Sequence, residues 1–146
     1  MRKRKKGMDF KHFKELYNLI PKILEITKAC IQMERNSLPH DNDRFTEEKL
    51  FLDEFFNFIQ KKWTLDIIHL LNIFGEINYN KIKKILKGIS SRILTDRLKL
   101  LEENGFVTRI VHDTRPVRIS YHLTEYGEGF TLLLVPLVSF YHFYKK

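Results

Sequence analysis

The sequence predicts an α+β fold that is mostly helical, and three observations predict it. Between residues 79 and 105, apolar residues recur at the three- and four-residue spacing of two short helices. Residues 106–112 and 119–123 are β-rich runs around a polar tip, which is the pattern of a hairpin. Long helical stretches stand near both ends of the chain. These features predict a small helical domain with a minor sheet and an additional helix at each end.

The first of the two central helices has an apolar face and a basic face. Its apolar residues are Tyr79, Ile82, Ile85 and Leu86. The remaining positions are mostly lysines, namely Lys81, Lys83, Lys84 and Lys87. Gly88 is expected to end this helix, because glycine adopts the left-handed C-cap conformation without strain. Ile89 is expected to point inward and Ser90 to cap the next helix, so the segment is a helix-turn-helix.

The second helix separates an apolar arc from a polar arc. The apolar arc holds Ile93, Leu94, Leu98, Leu100 and Leu101. The opposite arc holds Ser91, Arg92, Thr95, Asp96, Lys99 and Glu103. The N-terminal part of a recognition helix reaches base edges in the major groove, so the leading candidates for base contacts are Arg92, Thr95 and Lys99, with Ser91 beside them. The alternative is a solvated polar face.

Arg97 falls inside the apolar arc. A half-buried arginine needs a carboxylate or carbonyl partner, so this side chain is expected to be a structural anchor. A phosphate contact is the alternative.

A basic hairpin follows the second helix. Arg115 and Arg118 flank Pro116, which stiffens the tip. With the helix-turn-helix, this hairpin makes a winged helix, and the natural target of the two arginines is the minor groove or its phosphates. The alternative is a surface hairpin that is basic by coincidence. Ile77 is a candidate for a short strand that closes the sheet.

Three segments occur in a characteristic order and spacing: KKWTLDIIHLL at 61–71, LKGISSRILTDRLKLLEENGFVTR at 86–109 and PVRISYHLTEYG at 116–127. Together they resemble the HxlR-type transcription regulators, a branch of the MarR-like winged-helix proteins. The resemblance implies a cytoplasmic, nucleoid-associated homodimer that binds a pseudo-palindromic operator in double-stranded DNA. Many members carry a sensing cysteine before the tryptophan. The corresponding stretch here, EEKLFLDEFFNF, has none, so their redox switch does not carry over to this position.

The charge balance agrees with a polyanionic partner. The 146 residues carry a formal net charge of +8, which suits nucleic acid or an anionic membrane surface. The basic start, MRKRKK, is expected to be a solvated tail or to add phosphate contacts. The single Cys30 excludes an internal disulfide and fits a reducing compartment; inert packing in a helix is expected for it.

A long helix is predicted from residue 9 to about residue 35. Its apolar seam is Phe13, Leu16, Ile20, Ile23, Thr27 and Cys30, spaced by three and four. Such a seam favours packing against another helix, most simply that of a dimer mate, and packing on the chain's own core is the alternative. Pro21 predicts either a kink or a junction of two helices.

Residues 36–45 are predicted to be a linker. Thr46 is expected to cap a helix with an inward face made of Phe51, Phe55, Phe58 and Ile59. A further helix is expected from about Trp63 to Phe74, ending at Gly75. The last helix starts at Thr124, and its 15 largely apolar residues fall short of the roughly 20 that span a bilayer. Burial in a dimer interface is expected, with a membrane-surface role as the alternative.

Three parts are therefore expected: a basic arm, helix and linker over 1–45, the winged helix-turn-helix over 46–123, and a dimerisation helix over 124–146. No enzyme signature, metal ligand spacing or cofactor motif is present in the sequence. The candidate DNA-binding residues are Ser90, Ser91, Arg92, Thr95, Asp96, Lys99, Arg115, Arg118, Lys81 and Lys84.

The predicted function is sequence-specific regulation of transcription by a homodimer, with no membrane partner. The alternatives are a winged helix that binds other proteins and an architectural DNA binder without a defined operator. A small-molecule effector between the dimer helices and the winged domain is a further alternative. Its cleft would be lined by Phe10, Phe13, Tyr141 and Tyr144, and simple packing of these aromatic residues is the competing interpretation.

Overall fold

A computed structural model describes residues 14–38 and 41–144 of the chain. The elements in order are α1 (Lys14–Ser37), α2 (Asn42–Ile59), α3 (Thr64–Phe74), β1 (Ile77–Asn78), α4 (Tyr79–Ile85), α5 (Ser91–Glu103), β2 (Val107–His112), β3 (Arg118–Leu123) and α6 (Glu125–Tyr144). The predicted fold class, a mostly helical α+β fold with a winged helix-turn-helix, is confirmed. The described residues form two compact units, one from Thr46 to Leu132 and one from the residues up to Phe45 together with those from Leu133.

The sheet of the larger unit has three antiparallel strands in the order β1-β3-β2. Strands β2 and β3 form the predicted hairpin, in which Val107 pairs with Leu123 and His112 pairs with Arg118. Ile77 pairs with Tyr121, so the expected short closing strand is present. The hairpin residues that follow His112 and precede Arg118 form the wing tip.

The core of the larger unit lies between the three central helices and the sheet. Its most deeply buried side chains include Ile67, Ile68, Leu71, Ile82, Leu94, Leu98 and Leu101. Strand residues Val107, Tyr121 and Leu123 cover it from the sheet side. This core fixes the rotation of α5, because Leu94, Leu98 and Leu101 must all face it.

The turn between α4 and α5 differs in one respect from the sequence prediction. Helix α4 ends at Ile85, three residues before the expected end at Gly88. Gly88 still has a positive φ of 93°, so it serves the turn and does not cap the helix. Ile89 is buried, as predicted. Ser90 caps α5, because its Oγ accepts a hydrogen bond from the Ile93 N–H at 3.2 Å.

Ile93 does not belong to the buried arc of α5. Its side chain is 39% exposed, because the core covers only the narrower stripe of Leu94, Leu98 and Leu101. Two other predicted helix ends are confirmed. Helix α3 ends at Phe74 with Gly75 as its C-cap, and Thr124 caps α6 by accepting a hydrogen bond from the Gly127 N–H at 3.0 Å.

The first turns of α6 pack closely on Phe106. Its ring centroid lies 4.8 Å from that of Tyr126 and 5.2 Å from that of Phe130. A Cβ atom added at Gly127 would lie 2.2 Å from the Phe106 carbonyl oxygen. Only glycine therefore allows α6 to lie this close to Phe106, the residue that precedes β2.

Helix α2 corrects two predictions. It begins at Asn42 and not at Thr46, and Asp41 accepts a hydrogen bond from the Arg44 N–H at 2.9 Å in the manner of a cap. Most of the predicted linker is thus helical. Phe51 is 74% exposed and Phe55 is also exposed, because only the end of α2 reaches the core, where Phe58 lies 4.9 Å from Phe106 between ring centroids.

Helix α1 is one continuous helix through Pro21. The predicted residues 9–13 of this helix lie outside the described part of the chain. Ile20 is buried but Ile23 is exposed, so the described chain covers only part of the predicted seam. Cys30 is a free, exposed thiol, and the expectation that it packs inside the chain is wrong, because the described chain buries Ile20 of this seam but leaves the part with Cys30 uncovered.

Candidate nucleic-acid interface

The polar arc of α5 faces solvent along its whole length. Its members are all exposed, namely Ser91, Arg92, Thr95, Asp96, Lys99 and Glu103. Ser90, the remaining candidate on this segment, is also exposed, and its side-chain oxygen is engaged as the helix cap. The candidates from the second helix are therefore brought together on one accessible surface, which we call the α5 polar face.

The beginning of the α5 polar face is tied to α4 by side-chain hydrogen bonds. The Tyr79 hydroxyl donates to the Ser91 carbonyl oxygen at 2.9 Å and lies 3.2 Å from Thr95 Oγ1. Lys83 Nζ donates to Ser91 Oγ at 2.5 Å. The sequence alone predicts Tyr79 only as part of an apolar face and does not reveal this role of its hydroxyl. The available signal was a phenol hydroxyl at a position where Phe or Leu would suffice for packing.

The lysines of α4 extend the positive surface next to α5. Lys81 and Lys84 are both exposed, and Lys81 Nζ lies 5.3 Å from the centroid of the Phe74 ring. The α4 start is capped by Asn78, whose side chain accepts from the Lys81 N–H at 2.9 Å. On α5 itself, Lys99 Nζ lies 3.6 Å from Glu103 Oε1, so part of its charge is balanced within the helix.

The two wing arginines occupy different positions. Arg115 lies in the exposed tip, whereas Arg118 is the first residue of β3 and not part of the tip. Arg118 and Lys81 line one open groove between the start of α4 and the sheet. The groove thus joins a cation of the helix-turn-helix to a cation of the wing.

A hydrogen-bonded cluster lies in the same groove. Ser120 Oγ donates to Glu76 Oε1 at 2.5 Å, and His112 Nε2 lies 2.7 Å from Ser120 Oγ and 3.0 Å from Glu76 Oε1. The hydrogen bond from Ser120 and the nearby imidazole of His112 lower the pKa of Glu76, against the opposing effect of burial. His112 therefore joins the wing to Glu76, the residue before β1.

Strand β2 supplies a further cation, Arg109, which is not among the DNA-binding residues predicted from the sequence. Arg109 is exposed and lies opposite Tyr121 in the hairpin register. Burial raises the pKa of Tyr121, and interaction with Arg109 opposes that rise. Arg109 therefore adds positive charge to the wing while packing beside a core tyrosine.

Arg97 has the carbonyl partner that a structural anchor requires. Its Nε donates to the Lys62 carbonyl oxygen at 3.1 Å, and the side chain is half-buried. This geometry supports the anchor interpretation.

None of the helices in the part of the chain that the structure describes has the length and apolar character to cross a membrane. Among the same residues, no group of three or more His, Cys, Asp or Glu side chains is placed to hold a metal ion.

Comparison with known proteins identifies relatives of this arrangement. Residues 58–146 match the family described as HxlR-like helix-turn-helix. The transcriptional regulator YodB of Bacillus subtilis is 37% identical over 76 residues, covering 52% of this chain and 67% of that protein. The HTH-type regulator YvaP of the same organism, described as uncharacterized, is 39% identical over 77 residues, covering 52% of this chain and 69% of its own length.

Solved structures give the same result. The reduced form of YodB superposes with a TM-score of 0.56 and 31% identity, covering 61% of this chain and 86% of that structure. A MarR-family structure from Enterococcus faecalis V583 superposes with a TM-score of 0.61 and 28% identity, covering 66% of this chain and 86% of that structure. The predicted family resemblance is confirmed. The chain belongs to the HxlR-like helix-turn-helix family and is a transcriptional regulator with a helix-turn-helix DNA-binding domain.

Proposed function

We propose that the protein regulates transcription as a homodimer that binds a specific operator in double-stranded DNA. In this proposal α5 enters the major groove, and the wing lies on the minor groove or the flanking backbone. The observation that carries it is the α5 polar face, which is exposed while the opposite side of the helix is sealed into the core. A helix anchored on one side and polar on the other is what groove recognition requires.

The distribution of charge supports the roles of the individual candidates. Arg92, Thr95 and Lys99, with Ser90, Ser91 and Asp96, would face base edges or adjacent phosphates. Lys81 and Lys84 from α4 and Arg115 and Arg118 from the wing would contact the backbone on either side. The groove that Lys81 and Arg118 share would hold a phosphate strand between the two elements. Non-specific attraction would follow from the net charge of +8 per chain.

The homodimer is supported by apolar side chains that a lone chain leaves in water. On α2, Phe51, Leu50 and Phe56 are exposed, and on α6 the same holds for Leu133 and Leu137. Exposed apolar surface of this extent marks an interaction site, and a second copy of the chain is the partner that a two-fold operator would demand. The two recognition helices would then lie about 34 Å apart, one turn of DNA.

The DNA proposal is tested by fluorescence anisotropy of labelled duplexes across a salt series. Duplex from the intergenic region upstream of the protein's own gene is compared with random sequence. We expect a steep salt dependence and a preference for the upstream duplex on the order of 10³-fold or more. Equal affinity for every duplex would favour an architectural binder, and no binding at low salt would favour a protein-interaction module.

Variants connect the binding to the α5 polar face. Arg92→Ala and Lys99→Ala should weaken operator binding without unfolding the protein. Lys28→Ala on α1 removes the same charge elsewhere and should leave the specificity ratio unchanged. If Arg92→Ala and Lys99→Ala both bind like the parent, the proposed orientation of α5 is wrong.

The dimer is tested separately by sedimentation equilibrium. Phe51→Asp and Leu133→Asp place a charge on apolar positions that are already exposed in the single chain, so each unit should still fold. We expect both variants to shift the chain towards the monomer, with operator affinity falling in parallel. A parent protein that is monomeric at the concentration of its DNA-binding transition would contradict the proposal.

A regulator of transcription acts where the DNA is, so we propose a cytoplasmic, nucleoid-associated location. The proposal includes no catalytic activity, because YvaP and YodB are both named as transcriptional regulators. The effector cleft predicted from Phe10, Phe13 and Tyr144 involves side chains outside the described residues, and Tyr141 is exposed on α6.

A further inference from the structure

Three polar groups meet where α4 contacts the start of α5. The hydroxyl oxygen of Tyr79 lies 2.9 Å from the Ser91 carbonyl oxygen and 3.2 Å from Thr95 Oγ1. Tyr79 is half-buried, whereas Thr95 belongs to the exposed α5 polar face. The arrangement determines which of these groups donates each hydrogen bond.

Counting hydrogens fixes the direction of both bonds. A phenol carries a single hydrogen, and a carbonyl oxygen can only accept. The Tyr79 hydrogen is therefore committed to Ser91. The contact between Tyr79 and Thr95 still needs a donor, and the hydroxyl hydrogen of Thr95 is the one that remains.

The usual alternative for a helical threonine is already occupied. Threonine hydroxyls can donate to the carbonyl four residues earlier, which for Thr95 is that of Ser91. In α5 this carbonyl accepts the helical N–H of Thr95 and also the Tyr79 hydroxyl. Both of its lone pairs are then in use, so the Thr95 hydrogen is directed to Tyr79.

We propose that Tyr79 fixes Thr95 as a hydrogen-bond acceptor towards the major groove, and that Thr95 thereby selects adenine or cytosine. These two bases present amino-group donors in that groove, at N6 and N4 respectively. Guanine O6 and thymine O4 are acceptors and would meet the lone pairs of Thr95 without a shared hydrogen. Tyr79 is then a positioning residue and Thr95 a specificity-determining one. The inference rests on the proposed function, because it requires α5 in the major groove.

The test is a selection of bound duplexes from a randomised pool, sequenced after several rounds, with the full chain. At one position in each half-site, the parent should prefer adenine or cytosine by about three- to tenfold, the range of one net hydrogen bond. Thr95→Val keeps the shape but removes the hydroxyl, and should abolish the preference at that position alone. Tyr79→Phe removes the acceptor that orients the Thr95 hydrogen. That hydrogen is then shared between the freed lone pair of the Ser91 carbonyl and the base, so the preference for adenine or cytosine should weaken. Tyr126→Phe is the matched control and should reproduce the parent motif.

The outcomes separate this inference from the proposed function. If the parent enriches no sequence, sequence-specific recognition fails and this inference fails with it. If the parent gives a motif that Thr95→Val leaves unchanged, or if the affected position prefers guanine or thymine, only the present inference is overturned. The same holds if a folded Tyr79→Phe variant keeps the full preference of the parent. Thermal unfolding by circular dichroism establishes folding, and should Tyr79→Phe not fold, the base identity at the position sensitive to Thr95→Val decides.

Discussion

The Nε atom of Arg97 donates a hydrogen bond to the carbonyl oxygen of Lys62 at 3.1 Å. The acceptor immediately precedes Trp63, which has a positive φ of 76° at the start of α3. The bond therefore connects the middle of α5 to the backbone turn from which α3 departs. Arginine is well suited to this position, because its methylene stem packs on the apolar arc while the guanidinium reaches a carbonyl.

Replacing Arg97 by Met should lower the free energy of unfolding by about 1 kcal/mol, the net value of one hydrogen bond. Methionine keeps most of the apolar stem and removes the donor. Urea denaturation at fixed protein concentration measures the change, with Arg35→Met on the exposed face of α1 as the control. The salt dependence of DNA binding should stay that of the parent. A slope reduced by about one would instead identify Arg97 as a phosphate contact.

The two glycines at the start of α6 should respond in opposite directions to alanine. At Gly127 the new methyl group would lie 2.2 Å from the Phe106 carbonyl oxygen, a backbone atom that also accepts from the Thr124 N–H at 3.0 Å. We expect Gly127→Ala to cost about 3 kcal/mol or more. At Gly129 no atom lies within 4 Å of the added Cβ, and Gly129→Ala should stabilise by roughly 0.5–1 kcal/mol. Thermal unfolding of the two variants side by side checks both values.

Replacing Glu76 by Gln should reduce stability at neutral pH and not in acid. The hydrogen bond from Ser120 lowers the folded-state pKa of Glu76 below its ordinary value of 4.5. A carboxyl group with a lowered pKa stabilises the fold above its unfolded pKa, and that contribution is lost as the pH falls through the folded pKa. The parent and the variant should thus differ at about pH 7 and converge towards about pH 3.

Denaturant midpoints of the parent and of Glu76→Gln, measured across this pH range, test whether their stabilities converge in acid. Ser120→Ala removes the hydrogen bond that contributes most, so it should weaken the pH dependence in the same direction. A Glu76→Gln variant whose deficit stays constant down to low pH would show that the carboxylate charge has no part in stability.

Alanine substitutions at the adjacent residues Ser90 and Ser91 should have different effects on stability, because only Ser90 caps α5. Ser90 Oγ accepts from the Ile93 N–H, so Ser90→Ala should cost about 1 kcal/mol of stability. Ser91 Oγ accepts only from a lysine side chain among its described contacts, Lys83 Nζ, so Ser91→Ala should change stability little. Chemical denaturation of both variants tests the contrast, and equal losses would refute it.

Removing the intrahelical partner of Lys99 should strengthen DNA binding. Lys99 Nζ and Glu103 Oε1 are 3.6 Å apart on the exposed side of α5. Glu103→Gln should raise affinity about two- to fivefold at low salt, in line with the modest energy of exposed ion pairs. Glu102→Gln makes the same charge change one residue away and should have the smaller effect. If the two variants are equivalent, net charge alone explains the gain and the pairing has no specific role.

Local sequence was informative wherever structure depends on near neighbours. The caps at Ser90 and Thr124 and the buried stripe of α5 each involve residues within a few positions of one another, and the hairpin pairs two strands that are consecutive in the chain. Such features follow from helical periodicity, capping chemistry and strand alternation. The predictions failed where coverage by a distant segment decided the outcome. Phe51, Cys30 and Ile93 belong to apolar patterns, and yet the described chain leaves each of them exposed.

Patterns contiguous in the chain were thus sufficient to predict the winged helix-turn-helix and its family. Only the tertiary structure revealed that Tyr79 meets Thr95, that Ser120 donates to Glu76 and that Gly127 lies against Phe106. These pairs are 16, 44 and 21 residues apart in sequence. Their contacts depend on how the core rotates and stacks whole elements, and no local periodicity specifies that packing.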